Sequence, residues 1–429
     1  MKKAGITAFI GLMLCFTLTG AHAQDSTANK KKQKDCTPKN IQELIFKKDP
    51  KPPDTTRKTR AFLLPYVAYN PTKGFQIGAG GVLSWYFGKN RETKQSAASF
   101  GAEFTSENQK LFQFKSNVYT SRNKWFLQGD WRFYIYSIPT YGVGSGRNDP
   151  VPTIPGSTVD STPVYGWNQE FPMEYRWLRI HEIFSYMVAK NLYVGLGYHF
   201  DLYYNIVDQN LSLDSLKPVL TPHYTYSTIH GFNPTEYKTG NLSLNLVYDS
   251  RDNLINPYKG IYAKFNYRLN QDWLGSDEPG SQIWAEFRTY VNVEKKFPRH
   301  LIAFWLYGGF QLTGNIPYFD LWATGFDQMN SSGRGYIQGR WRGENLMYAE
   351  VEYRFPITRC SQVLGGVIFA NASTASNKDA GIPLFGYIRP AGGFGLRITV
   401  DKLNRTNILI DFTWGEQSNG IYFGAQEVF

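Results

Sequence analysis

The side chains able to do covalent or metal chemistry are few and far apart. Beyond the leader the histidines are His181, His199, His223, His230 and His300, and none stands at metal-ligand spacing from another. The segment Gly142 to Gly146 is glycine-rich but lacks the G-x-S-x-G order of a nucleophile elbow, and there is no P-loop. Nothing raises a catalytic His/Ser pair split between distant segments. The residues therefore predict no enzyme, no metal and no cofactor. The chemistry that remains is electrostatic. Asp130, Arg132, Arg268, Glu286, Arg288 and Arg397 each alternate with apolar neighbours along extended runs. Charges in that pattern line an interior rather than cut a bond.

Those runs are the elements that must position the charges. From Ala61 to Phe429, apolar and polar residues alternate between short turns, the period-two signature of strands. In the clearest run Trp125, Leu127, Gly129, Trp131, Phe133 and Ile135 take one face, and Gln128, Asp130, Arg132 and Tyr134 the other. Ile261–Asn270, Ile283–Glu294 and Met347–Phe355 repeat the scheme. The apolar faces are rich in aromatics, and the runs reach about ten residues, the length a tilted strand needs to cross a bilayer. An ordinary globular strand averages about five or six. No stretch after the leader is long and apolar enough for a spanning helix.

The pattern predicts an all-β fold, a 16-stranded antiparallel transmembrane β-barrel closed so that every backbone group is paired within the lipid. The strands are placed near 61–69, 75–87, 95–106, 110–120, 125–139, 172–188, 192–207, 238–250, 260–271, 281–296, 301–315, 345–356, 363–374, 388–400, 406–415 and 420–429. Short turns at 121–124, 189–191, 298–300 and 402–405 alternate with long connections at 142–170, 208–238 and 317–344. That asymmetry separates a periplasmic rim from an outer one. Phe429 is expected to end the last strand, the terminal aromatic that outer-membrane assembly machinery reads.

The chain opens like a secretory leader. Lys2 and Lys3 precede the apolar run Ala4–Leu18, and Ala21-His22-Ala23 is a small-x-small cleavage site, giving a signal peptide over residues 1–23. Leu14 before Cys15 argues against a lipoprotein site. Residues 24–60 are basic and polar, with Lys30-Lys31-Lys32 and Lys51-Pro52-Pro53, and read as a disordered periplasmic linker. Within it Ile41–Phe46 is long enough for a helical turn, although a solvated tail is the simpler expectation. Residues 61–429 form the barrel domain. The formal net charge is +11. Export removes nucleic acid as a partner, leaving lumen lining and anionic lipid head groups to explain the excess. Topology puts Cys36 in the tail and Cys360 in the turn Ile357–Gln362 on the same periplasmic side, so the two either pair as a disulfide or stay apart.

Four motifs in order resemble the BamA/TamA family of outer-membrane assembly barrels, the bacterial surface antigen family. Gly333-Arg334-Gly335-Tyr336 with Gly339 lies in the long connection before Glu352-Tyr353-Arg354-Phe355-Pro356. Asp249-Ser250-Arg251-Asp252, followed by Pro257 and Gly260, looks like the family's turn between strands eight and nine. Pro139–Gly144 resembles a Tyr-Gly-x-Gly segment, and Gly366–Ala372 a strand-thirteen motif in which Asn371 stands where the family has Asp. The resemblance implies a loop between strands eleven and twelve that folds into the lumen, with Arg334 forked onto Glu352, Glu350 beside it, and Asn371 as a neutral acceptor. It also implies a weak seam between Ala61–Tyr69 and Ile421–Phe429. Many members carry periplasmic POTRA domains, and residues 24–60 are too short for one. The expected role is thus an assembly or translocation barrel without its client-binding arm. It would sit in outer-membrane lipid and act on unfolded outer-membrane clients or beside other assembly subunits. The alternatives are a passive pore or solute transporter, and a partner subunit anchored through its basic tail.

Overall fold

Side chains that alternate between lipid-like and water-like surroundings can be satisfied only by strands with two different faces, and the chain builds a single large sheet of them. The computed structural model describes residues 38–45, 59–70, 74–87, 93–146, 169–214, 218–424 and 427–429. The chain divides into two units, Met1–Cys36 and Thr37–Phe429. The first, with the expected leader, its cleavage site and Cys36, lies outside the described residues, as does most of the basic linker.

The strands are β1 (Thr59–Asn70), β2 (Gly74–Trp85), β3 (Ser96–Thr105), β4 (Lys110–Tyr119), β5 (Trp125–Thr140), β6 (Phe171–Ala189), β7 (Leu192–Asp208), β8 (Tyr237–Asp249) and β9 (Gly260–Asn270). They continue with β10 (Gly280–Asn292), β11 (Leu301–Gly314), β12 (Trp322–Ala323), β13 (Arg342–Gly343), β14 (Asn345–Pro356), β15 (Leu364–Ala375), β16 (Arg389–Asp401), β17 (Thr406–Gly415) and β18 (Ser418–Gly424). Sixteen of them form one antiparallel sheet in chain order, while β12 and β13 pair apart as a two-stranded ribbon within the long connection between β11 and β14. The sheet curls until the Cα atoms of β1 and β18 approach within 8 Å, but among the described residues the two strands do not pair. The expected ring is therefore not closed by hydrogen bonds. The last strand also differs: β18 is described over Ser418–Gly424, and Glu427–Phe429 are outside the sheet.

The two faces sort as the alternation requires. Trp125, Trp131 and Phe133 of β5 are exposed on the outer face, and Asp130, Arg132 and Tyr134 are buried on the inner one. Leu196, Leu244, Phe265, Phe287, Ile302, Val351, Ile368, Phe394 and Phe412 extend the apolar exterior around the sheet. An apolar surface of this extent has no place in water. Trp125 and Tyr186 pack edge to face at 5.1 Å near the short-turn rim, the position of an aromatic girdle. One charge breaks the band. Glu182 of β6 lies between the outward Ile180 and Phe184, opposite Gly129, four residues above Trp125. At ~3.3 Å per residue and a strand tilt of ~40°, that is roughly 10 Å inside the apolar zone. The Trp131 indole donates to its carboxylate at 2.6 Å. A Cβ at Gly129 would stand 2.9 Å from Glu182 Oε1, so the glycine makes the room.

Part of the linker expected to be disordered is ordered. Helix α1 (Ile41–Ile45) forms where the Asn40 amide donates to Glu43 Oε2 at 2.8 Å, capping the turn. It docks at the short-turn rim. Lys39 N donates to Ser361 O at 2.8 Å, Lys402 N to Asn40 Oδ1 at 2.7 Å, and Lys402 Nζ pairs with Glu43 at 3.0 Å. Burial opposes the Glu43 charge, but the Asn40 amide and Lys402 hold its pKa below the usual glutamate value. Cys360, in the turn between β14 and β15, is disulfide-bonded; its expected partner Cys36 is outside the described residues.

Candidate functional site

Residues 315–344 join β11 to β14, and their contacts fall on the inner faces of strands from both halves of the sheet. The β12–β13 ribbon forms the loop's base, and the turn around Gly333-Arg334-Gly335-Tyr336 forms its tip. Gly333, Gly335 and Gly339 have φ of +78°, +104° and +78°, values that side chains strain to adopt. At Gly335 space is the second constraint, since a Cβ there would meet Ala391 Cβ at 2.7 Å and the Trp414 backbone at 3.2 Å. The tip lies that close to β16 and β17.

The Arg334 side chain is 2% exposed and faces three carboxylates. It donates to Asp411 Oδ2 of β17 at 2.6 Å and to Glu350 and Glu352 of β14. Its guanidinium lies 3.6 Å from the centroid of the Phe369 ring. Period two explains the convergence: Glu350 and Glu352 are successive inward positions of one strand, and Asn371 of β15 is the register partner of Glu350. Asn371 is a donor here, not the expected neutral acceptor. Its amide gives a hydrogen bond to Arg334 O at 3.0 Å, which fixes the backbone of the tip. A protonated guanidinium has no acceptor to offer Asn371, so the backbone carbonyl takes that place. Asp411 was not singled out from the sequence, although it is the lone acid on the inward phase of β17 and that phase was readable.

A second layer holds these groups. Arg354 donates to Glu352 at 2.6 Å, Arg397 to Asp411 at 2.5 Å and to Glu427 at 2.7 Å, and Tyr348 to Glu350. Tyr336 OH donates to Pro390 O at 2.6 Å and accepts from Glu416 N at 3.0 Å. On the opposite wall Arg132, itself ion-paired with Asp130 at 2.5 Å, reaches Asn330 of the loop at 2.5 Å, and Tyr136 OH donates to Gln338 at 2.6 Å. The loop is thus a strut between two walls.

The cluster holds three guanidiniums, from Arg334, Arg354 and Arg397, and four carboxylates, from Glu350, Glu352, Asp411 and Glu427. Glu352 and Asp411 each bridge two arginines, whereas Glu350 touches only Arg334 among them and is otherwise served by the neutral donors Tyr348 and Asn371. Glu350 and Glu427 are the two carboxylates with a single arginine each, and Glu350 is the one of them that the loop tip touches. Glu350→Gln should then change stability by less than ~1 kcal/mol, and Glu352→Gln should cost ~2–3 kcal/mol, because two buried guanidiniums lose a shared acceptor. Urea unfolding of both variants in lipid vesicles measures the difference, and the opposite ranking would refute the charge count.

The Asp249-Ser250-Arg251-Asp252 turn makes a second polar knot at the short-turn rim. Asp249 accepts from Tyr119 OH at 2.8 Å and from Arg251 at 3.0 and 2.8 Å, and Lys94 Nζ reaches its carbonyl. Burial holds the Lys94 ammonium below its usual pKa, with Asp249 in opposition. For Arg251 burial is outweighed by Asp249, and the pKa rises. Asp252 accepts from Tyr258 N at 3.0 Å and from Arg405 at 2.8 Å, tying this turn to the one before β17. Gly260, at φ +109°, lets the chain pass Ser250, whose carbonyl a Cβ would meet at 2.5 Å; Pro257 is buried between them. Two histidines that look scattered in sequence are neighbours: His181 and His199 are register partners with ring centroids 4.5 Å apart, and His181 Nε2 lies 2.5 Å from Asp201. Among the described residues no group of three or more His, Cys, Asp or Glu is arranged to hold a metal.

The family model of the Omp85 superfamily domain matches residues 76–426. The chain belongs to the Omp85 superfamily. No curated protein matches it in sequence. Among solved structures, a Haemophilus ducreyi BamA lacking POTRA domains 1–3 is similar over 86% of this chain and 69% of that one, with 13% identity and a TM-score of 0.51. CdiB from Acinetobacter baumannii is similar over 86% of this chain, which spans only 60% of the CdiB chain, with 10% identity and a TM-score of 0.50. At these identities the likeness is one of fold. For this Omp85 superfamily chain it is the fold of an outer-membrane β-barrel, as the sheet order and the apolar exterior require.

Proposed function

We propose that the chain is an assembly or translocation barrel of the outer membrane, working by mechanics and electrostatics without covalent chemistry. The observation that carries the reading is the seam. Among the described residues, fifteen strand pairs of the large sheet are hydrogen-bonded in unbroken order, and β1 and β18 approach without pairing. A sheet edge left unpaired in lipid is costly, and it offers main-chain donors and acceptors to an incoming strand. The docked loop supplies the rigid frame against which the seam can open. The same loop stands in the way of free diffusion, which counts against a passive pore. Substrates of this barrel would be unfolded outer-membrane proteins or an exported passenger, met at the seam from the short-turn rim.

Depletion of the protein followed by an outer-membrane proteome tests the reading. Broad loss of other barrels is expected, two- to tenfold across unrelated proteins. Loss confined to uptake of one nutrient would replace assembly with transport.

A further inference from the structure

The connection between β15 and β16 ends in a turn that lies on the outside of the wall. Pro383 O accepts from Gly386 N at 3.0 Å, closing the chain over Leu384 and Phe385. The Phe385 amide donates to Thr374 Oγ1 at 3.0 Å. Thr374 continues the outward phase of Ile368, Ala370 and Ala372, yet it is 4% exposed where Ile368 is 55%. The turn therefore lies over the outer face of β15 at its end. Behind it, Asn377 and Ile382 exchange backbone hydrogen bonds at 3.0 and 2.8 Å and close the base of the connection.

Phe385 is out of place by every local rule. Its φ is +68°, a left-handed value that a bulky side chain adopts only under strain and that turns of this kind give to glycine or asparagine. Its side chain is 58% exposed, so the interior gains little from it. Ile388, just before β16 and in the outward phase of Phe394, is equally exposed. A strained aromatic left bare points to a surface outside the chain. Its height says which surface. Thr374 stands ten residues beyond Leu364, where β15 starts at the short-turn rim. At ~3.3 Å per residue and a strand tilt of ~40° that is ~25 Å, the full height of an apolar band. The turn is thus level with the outer edge of the band, and its apolar side chains continue the lipid-facing surface of Ile368 and Phe394.

We propose that Leu384–Ile388 is a clasp that inserts into the acyl boundary of the outer leaflet, with Phe385 and Ile388 as its lipid-buried residues. Lipid is the occupant because the patch continues the apolar wall and residues 383–388 carry no charge. The clasp hangs on the strand ends that seat the folded-in loop from within: Tyr336 OH donates to Pro390 O of β16 at 2.6 Å, and Asn371 of β15 to Arg334 O at 3.0 Å. Membrane outside and loop tip inside thus grip the same two strands. The clasp does not depend on the assembly reading and holds equally for a pore.

The test attaches a nitroxide to the full chain in dioleoylphosphatidylcholine vesicles, through Phe385→Cys, Ile388→Cys, Ile368→Cys and Lys378→Cys in separate proteins, with the signal of the unsubstituted chain subtracted. Collision with oxygen, which concentrates in lipid, is compared with collision with a water-soluble nickel chelate. Ile368 on the wall sets the lipid value, and Lys378, exposed in the same connection, sets the water value. The oxygen-to-nickel ratio at Phe385 should stand about fivefold or more above that at Lys378 and approach that at Ile368. The Ile388 label leaves Phe385 in place and should give the same result. Ratios at both positions equal to that of Lys378 overturn the clasp. Protection from both reagents also overturns it, since a protein partner or a second copy would then cover the patch instead of lipid.

Discussion

Arg334→Ala should convert a near-closed barrel into a conducting one. The substitution removes the one cation that Glu350, Glu352 and Asp411 share and leaves four carboxylates of the cluster facing two guanidiniums. Stripping one partner from a buried ion cluster costs about 3–5 kcal/mol, because the remaining charges can neither be solvated nor paired where they stand. The cheapest relief is for the tip to leave and for water to enter. Planar-bilayer recording should show a several-fold rise in open conductance, and urea unfolding in vesicles should report the lost stability. Arg334→Lys keeps the charge but not the fork, since one ammonium cannot reach three carboxylates on two strands in the same geometry, and it should fall between the two. Wild-type conductance and stability in Arg334→Ala would mean that the loop is held elsewhere.

Gly335→Ala should do nearly as much harm without touching a charge. The left-handed backbone at φ +104° costs an L residue about 1–2 kcal/mol. The added Cβ must also displace Ala391 or the Trp414 backbone, from which it would stand 2.7 and 3.2 Å. Those atoms belong to sheet strands and cannot move alone, so a total of ~3 kcal/mol or more is expected, together with loss of the Tyr336 bond to Pro390. Gly231→Ala is the control: it has positive φ, +77°, with nothing within 4 Å of the added methyl. It should show the backbone strain alone. Equal losses in the two variants, measured by thermal unfolding, would show that the tip is not wedged against the wall.

The sheet was legible because a strand with lipid on one side and polar groups on the other must alternate, and the alternation fixes which way each residue points. Trp131 and Arg132 face opposite ways for that reason alone. The pairings across the interior were less legible. Asp411 stands 77 residues from Arg334, and no local pattern joins them. His181 and His199 meet only because a two-residue turn sets the hairpin register of β6 and β7. The expectation of a docked tip came from the family resemblance and not from any local pattern of glycines and arginine, and the count of carboxylates around Arg334 had no sequence signal. The end of β18 was misplaced because the aromatic Phe429 fits the outward phase. Glu427, two residues earlier in that same phase, was the residue that did not fit.

Glu182 has a consequence for the membrane itself. Oil cannot coat the barrel evenly where an acid group, its indole neighbour and the gap at Gly129 break the surface between Ile180 and Phe184. Water or head groups drawn down to that oxygen would dimple the inner leaflet beside β5 and β6, five strands from the seam, so the surrounding lipid would be thinned unevenly by the wall it touches.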